Sequence, residues 1–277
     1  MQNSNAAKTL QVICVIVLLV GVITLALCSL LLVSIRRRPP TTIADIAYDR
    51  WTRSRNTDFR VFIEENGQYV PYLVLTANYG GNVLLLREHL LDETRPFQPS
   101  PRDQGLWAWQ DFGAYYPESQ IDNFLNTEFK GALVEYVIAA MVASNIVVTH
   151  KNSIGVTGRD SYVITRYVFL LSLRELGFRD LSTSVPEGER LRFFQGDHVG
   201  RVASFSDGTE IPYWTRTPQT WETYVVFTIG VSSIGAGSAD VYSGVRPAFT
   251  LDRSTPITTR TDIISGQTVF VLGTGNQ

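Results

Sequence analysis

Cysteine is nearly absent from this chain. It has only Cys14 and Cys28, and both lie in an apolar N-terminal stretch. Everything after residue 28 is therefore without disulfides, a cysteine nucleophile or a cysteine-based zinc site. Histidine is almost as scarce. His89, His150 and His198 are the only three, and no two share the close spacing of a helical metal motif, so no metal site is expected. No acidic residue occurs before Arg38, and the residues beyond it carry 20 basic and 26 acidic groups, a net of −6. A mildly acidic domain without basic runs argues against nucleic acid as a partner, because phosphate contacts need clustered lysine and arginine.

Known catalytic motifs fail in turn. Gly230-Val231-Ser232-Ser233-Ile234 lacks the second glycine of a nucleophile elbow. Gly235-Ala236-Gly237 lacks the third small residue of a dinucleotide fingerprint and opens no helix. There is no phosphate-binding Gly-Lys-Ser/Thr, and no cofactor is expected. The acidic residues Glu118, Asp122, Asp197 and Asp207 could include a pair suited to glycoside hydrolysis, and sequence leaves their separation open.

One long hydrophobic run is present. Residues 10–35 carry no charge, and as a helix at about 1.5 Å per residue they would span about 39 Å, enough to cross a ~30 Å hydrocarbon core. A cleaved signal peptide would have a shorter apolar region. Leu25-Ala26-Leu27-Cys28 resembles a lipoprotein cleavage box, but Leu27 is bulky and the apolar run continues past it. The reading is a short tail over 1–9, a single transmembrane helix over 10–35, a juxtamembrane stalk over 36–58 and a domain over 59–277. Arg36-Arg37-Arg38 by itself would place the domain on the cytoplasmic side. Pro39-Pro40 ends the helix, since proline cannot donate to its ladder.

Beyond the anchor the pattern is α+β. Phe59 to Ile63, Tyr69 to Thr76 and Asn82 to Arg87 read as strands, with a turn at Asn66-Gly67. Ser119 caps a helix, and Ser172-Leu173-Arg174-Glu175 is a full capping box that predicts a second, short one. Ile146 to Val148, Tyr167 to Leu171, Tyr224 to Ile229 and Val245 to Leu251 are further strands. Thr268 to Leu272 is placed to close the sheet. Asp207-Gly208 reads as a hairpin turn.

Two boxes, Tyr213-Trp214-Thr215-Arg216-Thr217-Pro218 and Gly244-Val245-Arg246-Pro247-Ala248-Phe249, each set an arginine among aromatic and turn residues. Read with Val83 to Leu86, Phe124-Leu125-Asn126-Thr127-Glu128-Phe129 and Val168 to Ser172, they resemble the DUF6273 family of bacterial and phage domains over about residues 59–255. Tyr213 and Thr215 depart mildly from that family's usual Trp and Leu. The resemblance brings no established activity. It implies, more distantly, a C-type-lectin-like fold akin to formylglycine-generating enzymes and phage receptor-binding proteins, with an antiparallel sheet and two or three helices. The cysteines of formylglycine chemistry are missing, so that activity does not follow. Members often carry a membrane segment, which favours an extracytoplasmic domain.

Trp214, Arg216, Pro218, Gly244, Arg246 and Pro247 are expected to be structural, with Arg216 and Arg246 bonding carbonyls or a carboxylate such as Asp207 or Glu210. Ligand contact is expected between the boxes. There Trp221, Tyr224, Asp240 and Tyr242 flank a loop rich in serine and glycine, a composition suited to recognising sugars or peptides. The expected function is a membrane-anchored, non-catalytic module that recognises a glycan, peptide or protein. The alternatives are a cell-envelope hydrolase and a structural subunit of a surface assembly.

Overall fold

In a computed structural model, the described residues are 15–29, 40–48, 59–101, 111–156, 158–195, 200–231, 233–261 and 266–273. Residues 15–29 form helix α1, whose large apolar side chains are exposed. Among the described residues no helix is long and apolar enough to cross a membrane. The other parts of the expected span, 10–14 and 30–35, lie outside them.

Residues from Thr41 onward make a second compact unit. Its strands are β1 (Arg60–Glu65), β2 (Gln68–Tyr79), β3 (Asn82–Arg87), β4 (Arg95–Pro96), β5 (Met141–Val142), β6 (Ser144–Thr149), β7 (Ser161–Arg166), β8 (Val168–Phe169), β9 (Tyr213–Pro218), β10 (Val225–Ile229), β11 (Ile234–Ser238), β12 (Tyr242–Ser243), β13 (Ala248–Leu251), β14 (Ile257–Thr261) and β15 (Thr268–Leu272). Helical structure gathers in the middle. α2 (Gln120–Phe124) runs through a π-helical turn (Leu125–Phe129) into α3 (Lys130–Ala132), and α4 (Glu135–Ala140) follows. The class is α+β.

The main sheet has the order β14-β15-β1-β2-β3-β13-β5, with β8 also pairing β13. It is antiparallel except where β15 lies parallel to β1. The turn between β1 and β2 is Asn66-Gly67, both at positive φ, which matches the twist of a two-residue hairpin. β3 is buried along Val83 to Leu86 because neighbours cover it on both edges and both faces, hence its unbroken aliphatic sequence. A three-stranded sheet, β11-β10-β9, and the hairpin β6-β7 complete the layers.

The segment read as a stalk enters the domain. Ile43 and Ile46, on a short 3₁₀ turn, are buried with Ala47. Ile43 N–H donates to Thr255 O and Ile257 N–H to Thr41 O, so these residues are stitched to the strand end opposite. The hairpin turn expected at Asp207-Gly208 is present, with Gly208 at φ +89° and Phe205 N–H donating to Thr209 O. The helix predicted after Ser172 is a single turn. Ser172 and Glu175 form the reciprocal capping bonds, but Gly177 at φ +81° stops the chain before a second turn.

Candidate functional site

Both arginine boxes are interior. β9 is buried along its whole length. A guanidinium that leaves water must satisfy its donors. Arg216 does so through Nε to Val147 O (3.0 Å), Nη1 to Leu170 O (2.8 Å), and a fork onto Glu175 at 2.6 and 2.8 Å. The carboxylate partner is thus Glu175 rather than Asp207 or Glu210. Asp207 instead closes its own turn, accepting from Thr209 N–H. The capping box explains why Glu175 is in place, since its carboxylate also accepts from Ser172 N–H. Tyr79 donates to the same carboxylate at 2.7 Å.

A second buried carboxylate, Glu187, lies 3.9 Å from Arg216 Nε. It accepts from Thr149 N–H and Oγ1 and from Thr217 Oγ1, at 2.7 to 2.8 Å. Burial pushes its pKa up to about 7, although Arg216 and these donors pull the other way. One arginine therefore faces two acids, and none of the three side chains is exposed to solvent.

Arg246 donates to three carbonyls: Arg87 O (2.9 Å), Gly200 O (2.6 Å) and Glu88 O (3.1 Å). Pro247 O accepts from Arg87 N–H, and Gly244 packs where a Cβ would lie 2.7 Å from Leu90. Trp214 is buried edge-on to Phe97 and donates its indole N–H to Arg95 O (2.9 Å). Pro218 ends β9 opposite Val226.

Between the boxes, the expected loop is largely a strand. β11 pairs residue by residue with β10 over Val225↔Ser238 to Ile229↔Ile234. Its glycines are required by packing: a Cβ on Gly235 would lie 2.8 Å from Thr228 Oγ1, and one on Gly237 3.3 Å from the Trp214 ring. Tyr224 and Asp240 lie at the open end of this hairpin, where Ala239 N–H donates to Tyr224 O (2.7 Å). Asp240 accepts from Ser238 Oγ. Trp221 is 57 % exposed in the preceding turn, and Tyr242 is 71 % exposed on β12, which pairs with β4. Among the described residues no hydrogen bond or ring contact joins these four side chains. They border one hairpin without forming a pocket wall together.

A concavity lies elsewhere. A groove of about 420 Å³ runs between α2 and the end of β7, lined by Glu118, Asp122, Asn123, Asn126, Arg166 and Tyr167 among others. Its floor is an ion pair: the Arg166 guanidinium donates to both Asp122 oxygens, at 2.9 and 2.7 Å. Burial raises the Asp122 pKa, while Arg166 works against that rise. Asn126 ties the π-helical turn to the strand region beside it. Its amide donates to Val168 O (2.9 Å) and Asp122, and its oxygen accepts from Tyr167 and Val168 N–H at 3.2 Å. At the rim, Lys151 holds Glu118 at 2.6 Å. Glu118 and Asp122 therefore share one groove, each already held by a cation. Asp197 and His198 lie outside the described residues. Among those described, no group of acidic, histidine or cysteine side chains could hold a metal.

Sequence reasoning passed over Arg166 and Tyr167. The signal for Arg166 was the alternation Tyr162, Ile164, Arg166 in Ser161–Arg166, which turns one face of β7 inward.

The family described as Domain of unknown function (DUF6273) matches residues 80–253. No curated protein and no solved structure matches the chain. The matched span opens at the turn into β3 and takes in the Asn126 helix, the Ser172 turn and both arginine boxes. It covers more than half of the sequence, and the chain belongs to the DUF6273 family.

Proposed function

We propose that this protein is a non-catalytic recognition module, anchored in a membrane through residues 10–35, that presents its C-terminal domain outside the cytoplasm to a glycan, peptide or protein ligand. The C-type-lectin-like arrangement expected from the order of the two boxes is part of this proposal. One observation carries it: Trp221 and Tyr242 expose 57 % and 71 % of their surface beside one hairpin, whereas every residue of the two boxes is buried. Exposed aromatic rings with a polar edge are efficient contact groups, since they lose little conformational entropy when a ligand covers them. The exposed apolar side chains of α1 suit contact with lipid.

The test is a glycan and peptide array probed with the full-length chain in detergent. Retention of a ligand class that Trp221→Ala or Tyr242→Ala weakens supports the proposal. Turnover of a cell-wall polymer by the same preparation, with no retained ligand, would defeat it. Protection of the domain from protease added to intact cells would overturn the external placement.

A further inference from the structure

The three-stranded sheet ends on a bare edge. β11 stands last in the order β11-β10-β9 and pairs on one side only. Which of its backbone groups face outward follows from the ladder. Gly230 N–H donates to Ser233 O (2.9 Å) and Ala239 N–H to Tyr224 O (2.7 Å), and the register between them is unbroken. Alternate residues of an antiparallel strand bond its neighbour. Ser233, Gly235, Gly237 and Ala239 therefore face β10, while Ile234, Ala236 and Ser238 turn their N–H and C=O away from it. Val241 N–H reaches Ser238 O (3.1 Å). Among the described residues, nothing bonds the outward groups of Ile234 and Ala236.

Sheet edges are commonly guarded by charge, proline or short length. The main sheet follows that rule, since β14 carries Arg260 and β5 has two residues. β11 has none of these guards. From Gly230 to Ala239 there is no charge and no proline, and no residue of β11 is buried. Gly235 and Gly237 add no side chain that could shield the edge, and packing against Thr228 and Trp214 keeps both positions small.

We infer that β11 is the seam of a symmetric dimer, pairing antiparallel with β11 of a second copy about a two-fold axis at Ala236. The register is self-complementary. Ala236 meets its own counterpart and Ile234 meets the counterpart of Ser238, and each facing pair exchanges N–H···O bonds in both directions. The two-fold also sets the Val231 end of one strand beside the Val241 end of the other. Both valines are exposed, and Asp240 does not face its counterpart. The residues beyond Arg38 carry 20 basic and 26 acidic groups, so two copies repel over most of the surface. A charge-free strand is where they approach without that cost. A second copy is favoured over a free peptide because β11 is already extended, whereas a peptide loses backbone entropy at every residue it orders. Gly235, Ala236 and Gly237 also give a peptide little side-chain surface to grip. The inference goes beyond the recognition reading and does not depend on it.

The experiment uses the full-length chain in detergent. Sedimentation velocity should show a dimer at tens of micromolar, as suits a small seam. Ala236→Lys and Ala236→Pro should each raise the dimer Kd about tenfold or more. Proline there removes no bond to β10, because the Ala236 N–H points outward. Thermal melts check that both variants are folded, and the lysine variant carries the test if the proline variant unfolds. Cysteine is absent after Cys28, so a single thiol in a Cys14→Ser, Cys28→Ser background reports the register. Two Ala236→Cys residues would have Cα atoms about 5.5 Å apart, within the ~4.4–6.8 Å that a disulfide spans, and should crosslink on oxidation. Two Ser238→Cys residues would sit four positions apart, about 14 Å along the strands, and should not. A chain that stays monomeric, an association that neither Ala236 variant weakens, or equal crosslinking at 236 and 238 overturns the inference. So does a 236 thiol that links only to a different protein in cell membranes.

Discussion

Arg216 and Glu175 meet through two hydrogen bonds, of 2.6 and 2.8 Å, and neither side chain touches solvent. The pair joins the buried strand β9 to a turn whose own capping bonds fix the acid. Removing one partner strands the other charge in a medium that solvates it poorly. Arg216→Met or Glu175→Gln should therefore lower the unfolding free energy by about 3–5 kcal/mol. Arg216→Lys should also be costly, because an ammonium cannot reproduce the fork and the two carbonyl bonds together. Urea denaturation reads all three. A loss under 1 kcal/mol in each would show that the pair is not a fastening.

Glu187 gives stability a slope across neutral pH. Its folded pKa, about 7, lies above the ordinary 4.5, so the folded state binds a proton more tightly than the unfolded chain does. The resulting stabilisation is complete below about pH 4.5 and is lost as pH rises through 7. On the order of 3 kcal/mol is at stake. The melting temperature should fall between pH 5 and pH 8, and Glu187→Gln should flatten that fall. Asp45, Asp207 and Asp252 have lowered pKa values, so their contributions are lost only as pH drops into the acid range. They do not mask the effect. A melting temperature constant from pH 5 to 8 in the parent chain would refute it.

Asn126 satisfies three backbone groups that lie outside its own helix: Tyr167 N–H, Val168 N–H and Val168 O. Alanine there leaves them unpaired in a partly buried place, at roughly 1–3 kcal/mol per orphaned group, partly relieved by water. Asn126→Ala should cost about 2–4 kcal/mol in chemical denaturation. Asn126→Asp should be no better, because it sets a second carboxylate against Asp122 and removes the donors. If aspartate matched the parent chain, the amide's donating role would be disproved.

Strand positions were legible where the core dictates the residues. Val83 to Leu86 could be read because a strand covered on both faces is aliphatic throughout, and Thr268 to Leu272 because it is a short run of β-branched and aromatic residues. β11 could not be read, since its strand character is hidden in glycines kept small by Thr228 and Trp214 across the sheet. The two arginines were recognisable as internal fastenings. The identity of their partner was not, because Glu175 reaches Arg216 only through a turn 41 residues away in sequence. The groove was invisible for the same reason: α2 and β7 come together only in the fold. Glu118 and Asp122 could be picked out as acids, but not the lysine and arginine that hold them.

Gly188 and Gly208 share a backbone conformation and differ in what surrounds them. Both have positive φ, +75° and +89°. A Cβ on Gly208 would meet nothing within 4 Å, whereas one on Gly188 would lie 2.7 Å from Glu175 Oε1. Gly208→Ala should therefore show only the backbone penalty, about 1–2 kcal/mol. Gly188→Ala should lose that amount and more, since the carboxylate it displaces is held by Arg216 and Tyr79. In a Glu175→Gln background the extra cost of Gly188→Ala should shrink, because part of the network is already lost. Guanidinium melts of the two single variants and of the Gly188→Ala, Glu175→Gln double variant measure this directly. Equal losses for the two glycines would mean that the Glu175 carboxylate can move aside freely, and the interior ion pair would then be a far looser fastening than its geometry implies.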